Sequence, residues 1–235
     1  MSDPADASRL VEDQIAYYRA RAGEYDDWFL RRGRYDHGAL RNAEWTSETE
    51  QLRTAVDAFA PAGRVVELAC GTGLFTRHLL RHADSITAVD SSPEVIRLNR
   101  ERCNDSRIAY VQANLFDWAP EQRFDVVFFS FWLSHVPPER FSAFWNMVRS
   151  ALAPNGRVFL IDSKYEPSST AVDHVLKGPD ATTALRRLDD GREFEIVKVF
   201  YRPEKLAADL DALGWNASVQ TTGKFFIYGH ATARP

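Results

Sequence analysis

The sequence predicts an α/β fold: a doubly wound, seven-stranded, mostly parallel sheet with an N-terminal helical cap. Short, almost wholly apolar runs such as VVEL, ITAV and FDVVFF alternate with helical segments from Arg64 onward. Such runs are typical of strands buried on both faces, and their alternation with helices is typical of a parallel sheet. Residues 1–60 instead space aromatic and aliphatic side chains as a helix does, which predicts the cap.

The predicted elements follow in order along the chain. The cap is expected to hold helices over 8–31 and 46–60, the second ended by Pro61. In the main domain, residues 61–235, strands are predicted at 64–69, 85–90, 108–112, 124–130, 156–162, 193–201, 215–221 and 224–231. Helices are predicted at 73–83, 93–102, 138–152 and 203–213. Residues 164–191 are polar and irregular, which predicts an insertion near the acceptor site.

Composition and charge restrict the class of protein. The 235 residues are 45% hydrophobic and 26% charged, as in an ordinary globular domain, and the net charge is −4. An acidic balance disfavours a nucleic-acid partner, whose binding relies on clustered Lys and Arg. The chain start lacks the regions of a secretory signal, and the longest apolar stretch is too short to span a bilayer. We therefore expect a cytoplasmic protein without a membrane partner, and the oligomeric state is left open.

Potential metal ligands show no pattern typical of a metal site. Cys70 and Cys103 are isolated, and only His78 and His82 among the histidines have i, i+4 spacing. Because the sequence supplies no third ligand beside them, we expect no metal.

A glycine-rich turn in 65-VVELACGTGLFTRHLL-80 is the strongest functional signal. Gly71 and Gly73 lie where a strand passes into a helix, and glycine there lets a ligand approach the bare backbone. Asp90 ends the next strand about 20 residues later, the position of a carboxylate that accepts hydrogen bonds from ribose hydroxyls. The pattern predicts a cofactor that contains adenosine.

Three side chains bear on the kind of cofactor. Thr76 occupies the position where the dinucleotide fingerprint has a third small residue. Glu67 would repel a pyrophosphate but attract a cationic ammonium or sulfonium, and Asp90 would oppose the 2′-phosphate of NADP. These residues favour a cationic adenosyl cofactor, with an NAD-dependent oxidoreductase as the alternative.

The segments ELACGTG, AVD, NLF, FDVVFFSFWLSHV and LAPNGRVFLID, in this order, resemble the class I S-adenosylmethionine-dependent methyltransferases. The resemblance is strong from Arg64 to Asp162 and loose elsewhere, and it implies that S-adenosylmethionine is the cofactor. It also implies contacts to the methionine end from Glu67, Ala69, Cys70, Gly71, Thr72 and Gly73, to the ribose from Asp90 and Ser91, to the adenine from Asn114 and Leu115, and near the sulfonium from the backbone of Ser130. Asn114 stands where the family usually has Asp, and its carbonyl can still accept from the adenine amine.

The cap contains a second resemblance. Tyr18, Ala22, Tyr25 and Asp26 match a YxxxAxxYD pattern similar to the N-terminal segment of quinone-biosynthesis and related small-molecule methyltransferases. The resemblance implies that Tyr25, and Tyr18 with it, lie near the methionine moiety and that the helix closes the pocket. Arg34 is a candidate for a bidentate contact to the cofactor carboxylate.

The segment 130-SFWLSHVPPERF-141 follows the fourth strand at the end where such sheets bind ligands. It lacks the Pro-Pro-aromatic and Pro-Cys motifs of nucleic-acid methyltransferases and resembles the LHHV-type stretch of small-molecule enzymes. His135 is the candidate general base; the alternative is a histidine that orients the loop through a backbone hydrogen bond. Other candidates for the acceptor site are Phe131, Trp132, Trp145, Asp162, Lys164 and Tyr165.

The sequence as a whole predicts S-adenosylmethionine-dependent methyl transfer to an oxygen or nitrogen of a small molecule. Two alternatives stay open at this point. One is the NAD-dependent oxidoreductase, and the other is a non-catalytic regulator that binds the cofactor on the same fold.

Overall fold

The computed structural model describes residues 4–235, with side chains from Arg9 onward. Its helices are α1 (Pro4–Ala20), α2 (Tyr25–Phe29), α3 (Ala39–Phe59), α4 (Thr76–Leu79), α5 (Pro93–Cys103), α6 (Phe141–Ala151) and α7 (Pro203–Ala212). Its strands are β1 (Gly63–Leu68), β2 (Ala83–Asp90), β3 (Ile108–Gln112), β4 (Phe124–Ser130), β5 (Leu152–Ser163), β6 (Thr183–Arg187), β7 (Glu193–Val197), β8 (Trp215–Thr221) and β9 (Phe226–Ala233). Within this part of the chain, no helix has the length and apolar character needed to cross a membrane.

Seven strands form the main sheet in the order β3-β2-β1-β4-β5-β9-β8. Strands β1 to β5 pair in parallel, whereas β9 runs antiparallel to both β5 and β8. This topology confirms the predicted seven-stranded, mostly parallel α/β fold, with helices that precede the sheet in the chain. The strand order reverses at β1 and β4, and in open sheets ligands bind beyond the carboxyl ends of the strands at such a point.

Apolar side chains cover both faces of this sheet, which is why its strands are almost wholly apolar. Val65 lies in the same apolar core as Trp45 of α3 on one face. Its neighbour Val66 lies in the core on the other face, with Phe129 of β4 and Trp145 of α6. Full burial of a large apolar side chain stabilises a fold by roughly 1.5–3 kcal/mol. The cap and the sheet share the first of these two cores, so α3 is held directly against the strands.

The first helix of the cap is shorter than predicted. Residues 8–31 do not form one helix, because the chain turns over 21–24, around Gly23, and becomes helical again only in α2. Glycine in a helix costs about 1 kcal/mol relative to alanine, which favours a break there. The next helix, α3, begins at Ala39 rather than at residue 46.

The predicted helix at 73–83 is reduced to the single turn α4. The N–H groups of Arg81 and His82 donate to carbonyls three residues back, those of His78 and Leu79. The segment therefore tightens into turns of the 3₁₀ type before β2 begins at Ala83.

The predicted insertion contains a strand that the sequence pattern did not reveal. β6 pairs antiparallel with β7 to form a hairpin separate from the main sheet. β7 ends at Val197 rather than at residue 201, because the N–H of Val199 donates to the carbonyl of Ser134 and draws the chain away from the ladder. Tyr17 of α1 packs with Ile196, so the hairpin lies against the cap.

Candidate active site

The loop after β1 presents its backbone to the crevice at the strand ends. Ala69, Gly71 and Gly73 have positive φ angles of 53°, 52° and 89°. A Cβ at Gly73 would lie 2.7 Å from Oδ1 of Asn99, so both backbone conformation and space require glycine there. A Cβ at Gly71 would meet nothing within 4 Å, which shows that this residue faces open space. The loop is therefore suited to contact a ligand through bare peptide groups.

The crevice continues into a cavity of about 680 Å³ lined by the carboxyl ends of β1 to β4 and by the cap, which we call the strand-end cavity. The structure brings together in it nine of the predicted cofactor residues: Tyr18, Tyr25, Ala69, Gly71, Asp90, Ser91, Asn114, Leu115 and Ser130. Cys70 and Thr72 line a smaller adjoining pocket.

Asp90 lies at the floor of the strand-end cavity with part of its hydrogen-bonding capacity free. Its Oδ2 accepts from the N–H of Gly71 and its Oδ1 from the N–H of Ser92, each at 3.0 Å. Burial raises the pKa of Asp90, against the lowering effect of these N–H groups. A carboxylate has about four acceptor positions, so two remain for hydroxyl groups of a ligand.

Asn114 occupies the predicted adenine end and is held in a local turn. Its Oδ1 accepts from the N–H of Phe116 at 3.1 Å, and its Nδ2 donates to Asp117 at 2.7 Å. One lone pair of Oδ1 is left for a ligand amine. Five further residues line the strand-end cavity that the sequence pattern did not identify: Gln14, Ile15, Val95, Ala113 and Phe116.

Glu67 lies behind the glycine loop and does not line the strand-end cavity. It is 1% exposed and accepts a hydrogen bond from the hydroxyl of Thr76. Thr76 accepts in turn from Nδ2 of Asn99 at 2.8 Å, and Asn99 also donates to the carbonyls of Cys70 and Gly71. Burial raises the pKa of Glu67 to about 8. The same Thr76 that breaks the dinucleotide fingerprint thus anchors a buried network beneath the loop.

The cap is joined to the glycine loop through Asp26. Its carboxylate accepts from the hydroxyl of Thr72 at 2.6 Å and pairs with Arg102 of α5. Arg102 also donates to the Thr72 hydroxyl at 3.1 Å. This three-residue latch fixes the neighbouring Tyr25 over the strand ends.

Arg34 lies away from the strand-end cavity. Its guanidinium pairs with Asp173 and Asp189 of the insertion and donates to the carbonyl of Arg187 at 2.7 Å. In this structure it ties the cap to the hairpin.

His135 lies between the strand-end cavity and a second cavity, with both ring nitrogens hydrogen-bonded. Nδ1 lies 2.8 Å from the carbonyl of Val197, so it carries the proton and donates. Nε2 is then the acceptor for the hydroxyl of Tyr18 at 2.7 Å. Burial, together with the nearby charge of Lys198, lowers the pKa of His135 well below its ordinary value. The imidazole is therefore neutral at neutral pH.

The second cavity, of about 570 Å³, is rich in cationic side chains, and we call it the basic cavity. Arg21 after α1, Arg186 of β6 and Lys198 after β7 line it, each less than a tenth exposed. Tyr18, Tyr25, Phe131 and His135 line both cavities, while Tyr17 and Tyr35 line the basic cavity only.

The sequence pattern did not identify Arg21, Arg186 and Lys198 as site residues. The burial of residues in β6 is unusual and indicates a role for Arg186. In 183-TALRR-187 Arg186 is buried while Leu185 is 48% exposed, the reverse of an ordinary half-buried strand.

Only some of the predicted acceptor residues line a cavity. Phe131 lines both cavities and Trp132 lines the strand-end cavity, while Trp145 is in the core. Asp162, Lys164 and Tyr165 do not line the basic cavity, whereas His174 of the insertion does.

His78 and His82 meet Asp57 of α3, a potential third ligand that the sequence pattern did not supply. Asp57 Oδ1 lies 3.0 Å from Nε2 of His78 and 2.6 Å from Nε2 of His82. Arg81 pairs with the other oxygen of Asp57 at 3.2 Å. None of these residues lines either cavity. Burial lowers the pKa of His78, so its contact with Asp57 is not an ion pair at neutral pH.

Comparison with known proteins gives related enzymes over most of the chain. A family model described as a methyltransferase domain matches residues 65–156. The chain is 32% identical over 191 residues to the Ubiquinone biosynthesis O-methyltransferase of Xanthomonas axonopodis pv. citri (strain 306), covering 75% of this chain and 77% of that protein.

Solved structures agree over almost the whole chain. DhpI in complex with S-adenosylhomocysteine is 40% identical with a TM-score of 0.77, and the match covers 96% of this chain and 98% of that one. A DhpI-SAM-HEP complex matches with 40% identity and a TM-score of 0.76, over 95% and 97% of the two chains. The 1,6-didemethyltoxoflavin-N1-methyltransferase of Burkholderia thailandensis, at 18% identity, a TM-score of 0.64 and coverage of 100% and 92%, shows the shared fold.

Proposed function

The chain belongs to the class I S-adenosylmethionine-dependent methyltransferases, and on that premise we propose that it methylates an oxygen or nitrogen of a small molecule held in the basic cavity. S-adenosylmethionine is the cofactor, as in the solved relatives that hold it or its demethylated product. The alternative of an NAD-dependent oxidoreductase is therefore set aside. The observation that carries the proposal is the shared boundary of the two cavities.

The residues of the strand-end cavity fit the parts of this cofactor. We propose that the free acceptor positions of Asp90 receive the ribose hydroxyls and that Oδ1 of Asn114 receives the adenine amine. Val95 and Phe116 supply apolar contacts beside the base. Ala69 and Gly71 turn bare backbone toward the methionine end, and Glu67 supports them from behind through Thr76 and Asn99.

We propose that the two reactants meet at the shared boundary of the two cavities. When bound, S-adenosylmethionine supplies a methyl group on a positively charged sulfur, which a nucleophile can displace in line. Tyr18, Tyr25, Phe131 and His135 surround the point where the cavities meet and exclude water from it. Holding two reactants in a reactive geometry is a large part of the catalytic effect for such a transfer.

We propose that His135 acts together with Tyr18. Because Nε2 already accepts the Tyr18 hydroxyl, the imidazole reaches an acceptor only through that hydroxyl. If the acceptor must lose a proton, the Tyr18 oxygen takes it and passes its own proton to Nε2. If the acceptor is already an anion, the pair only positions it. The lowered pKa of His135 makes it a weak base and favours positioning.

The names of the relatives support a small-molecule acceptor. One relative is named for ubiquinone biosynthesis and O-methylation, and another is described with 1,6-didemethyltoxoflavin bound. Tyr18 and Tyr25 of the cap line both cavities, and Arg186 and Ile196 of the hairpin also line the basic cavity.

The proposal is tested by calorimetric titration with S-adenosylhomocysteine, followed by assay with methyl-labelled S-adenosylmethionine and pools of small metabolites. We expect Asp90→Asn to weaken binding at least tenfold, since a hydrogen bond to a charged group is worth about 1.5–3 kcal/mol. Asp84→Asn, at an exposed position of the same strand, is the matched control and should bind as the wild type does. A wild-type protein that binds no S-adenosylhomocysteine, or that transfers label only to macromolecules, would refute the proposal.

A further inference from the structure

The basic cavity concentrates positive charge that the described residues neutralise only in part. Arg21 and Arg186 are each 8% exposed and Lys198 is 7% exposed, and they come from three separate segments of the chain. Charged side chains are rarely buried to this extent unless a partner compensates them. The partners of each cation therefore decide what the cavity is built to hold.

Lys198 is the one of the three cations with a carboxylate nearby. Its Nζ lies 3.9 Å from Oδ1 of Asp162 and donates to the hydroxyl of Ser134 at 2.9 Å. Asp162 is fully buried and also accepts from the N–H groups of Ser134 and Ser163. This lysine is thus largely compensated within the fold.

The two arginines have no such compensation. Among the described residues, neither guanidinium has a carboxylate within 4 Å. Arg21 donates to the hydroxyl of Tyr35 at 3.2 Å, and its buried Nε has no partner. Arg186 makes one long hydrogen bond, from Nη1 to the carbonyl of Leu185 at 3.4 Å. A guanidinium has five N–H donors, so most of their capacity is unused.

The tyrosines that surround the arginines do not supply negative charge. Burial raises the pKa of Tyr17, Tyr18 and Tyr25, so these side chains stay neutral phenols. The ring faces of Tyr17 and Tyr25 contact Arg21, whose guanidinium carbon lies 5.6 Å from the Tyr17 centroid and 5.2 Å from that of Tyr25. They hold the guanidinium in place and can add hydroxyl donors around an anion.

We propose that the methyl acceptor is a small oxyacid with two negative charges near neutral pH, held by Arg21 and Arg186 and methylated on an oxyanion oxygen. This inference rests on the function proposed above and specifies its substrate class. Phosphonates, phosphate monoesters and dicarboxylates share this chemistry, and planar guanidinium groups bind both phosphorus oxyanions and carboxylates in bidentate fashion.

The reaction on such an acceptor needs no base. A lone pair of the oxyanion forms the new O–C bond while the C–S bond breaks and its electron pair stays on sulfur. The dianion becomes a singly charged methyl ester, the sulfonium becomes a neutral thioether, and no proton moves. Tyr18 and His135 then serve to position the acceptor, in agreement with the neutral imidazole.

The inference is tested by calorimetric titration of the complex with S-adenosylhomocysteine, using methylphosphonate and malonate as separate probes and uncharged dimethyl methylphosphonate as the control ligand. We expect at least one of the dianions to bind at least tenfold more tightly than the uncharged ester. Arg186→Gln should reduce that affinity at least tenfold, while Arg186→Lys should retain part of it. Arg187→Gln, at the next and exposed position of β6, is the matched control and should leave it unchanged.

Comparison of the two dianions shows whether the acceptor is a phosphorus oxyacid or a dicarboxylate. The probe that binds more tightly should also yield a methyl ester when it is incubated with S-adenosylmethionine, and mass spectrometry detects that product. Equal binding of charged and uncharged probes, or wild-type dianion affinity in Arg186→Gln, would overturn the inference. If S-adenosylhomocysteine still binds in that case, the proposed function stands with a different acceptor. Failure of S-adenosylhomocysteine to bind at all would instead refute the proposed function.

Discussion

The protonation of Glu67 makes stability depend on pH in a way that a single substitution should abolish. The pKa of this buried carboxyl is raised to about 8, whereas in the unfolded chain it is near 4.5. Above pH 4.5 the unfolded state loses the proton that the folded state still holds, so stability falls as pH rises toward 8. Each pH unit in this window is worth about 1.36 kcal/mol, so the 3.5 units between 4.5 and about 8 make the full loss about 5 kcal/mol.

Glu67→Gln removes the ionisation but keeps an oxygen that can accept the Thr76 hydroxyl. We expect the variant and the wild type to have similar free energies of unfolding at pH 5. At pH 8 the variant should be more stable by a few kcal/mol, since it has no proton to lose. Urea unfolding at half-unit pH steps gives both curves, and Glu101→Gln, exposed on α5, should follow the wild type throughout.

The same variant also tests where Glu67 acts. If it supports the glycine loop from behind, Glu67→Gln should change the affinity for S-adenosylmethionine less than threefold. A direct contact between its carboxylate and the cofactor ammonium would instead cost more than tenfold, since such bonds are worth about 1.5–3 kcal/mol. Parallel stability curves at all pH values would refute the assignment of a raised pKa.

Three further changes probe the site. Asp26→Ala opens the latch to Thr72, so we expect S-adenosylhomocysteine to bind about tenfold more weakly in calorimetry, about 1.4 kcal/mol. Tyr18→Phe removes the hydroxyl bonded to His135, and should lower kcat about tenfold with cofactor affinity retained. Gly73→Ala should destabilise the fold by more than 2 kcal/mol in urea unfolding, because it combines left-handed backbone with a contact of 2.7 Å to a buried amide oxygen.

Each of these changes has a neighbour or analogue that should have a smaller effect. Asp27→Ala, the control for Asp26→Ala, changes a residue next to the latch that is not one of its three members. Tyr228→Phe, the control for Tyr18→Phe, removes a tyrosine hydroxyl at an exposed contact with Gln220. Gly33→Ala has positive φ but nothing within 4 Å, so it should cost less than Gly73→Ala. Equal effects in a pair would contradict the role assigned to the site member of that pair.

The parallel sheet could be predicted because its physical signature is local. A strand buried on both faces must be apolar along its length, and Val65 and Val66 illustrate this by facing opposite cores. The glycine loop and Asp90 could be predicted for a similar reason, since each lies at the end of a strand whose pattern is plain. Most of the strand-end cavity could therefore be predicted from the sequence.

The basic cavity could not be predicted from the sequence, because its residues meet only through long-range packing. Arg21, Arg186 and Lys198 are far apart in the chain, and each alone is typical of a solvated cation. The reversed burial of Leu185 and Arg186 becomes meaningful only once β6 is known to be a strand against the cap. The role of Thr76 was hidden likewise, because it depends on the buried network of Asn99.

Phe131, at the boundary of the two cavities, gives the cap a further importance. Its φ of 56° is left-handed, a conformation that costs a residue other than glycine roughly 1–2 kcal/mol. Its ring lies 4.9 Å from that of Trp28 in the cap, and its N–H donates to the carbonyl of Ile161 at 2.8 Å. The cap and the sheet must therefore dock before Phe131 is held in place. Because its N–H donates to Ile161 of β5, the boundary between the two cavities forms only after β5 has joined the sheet.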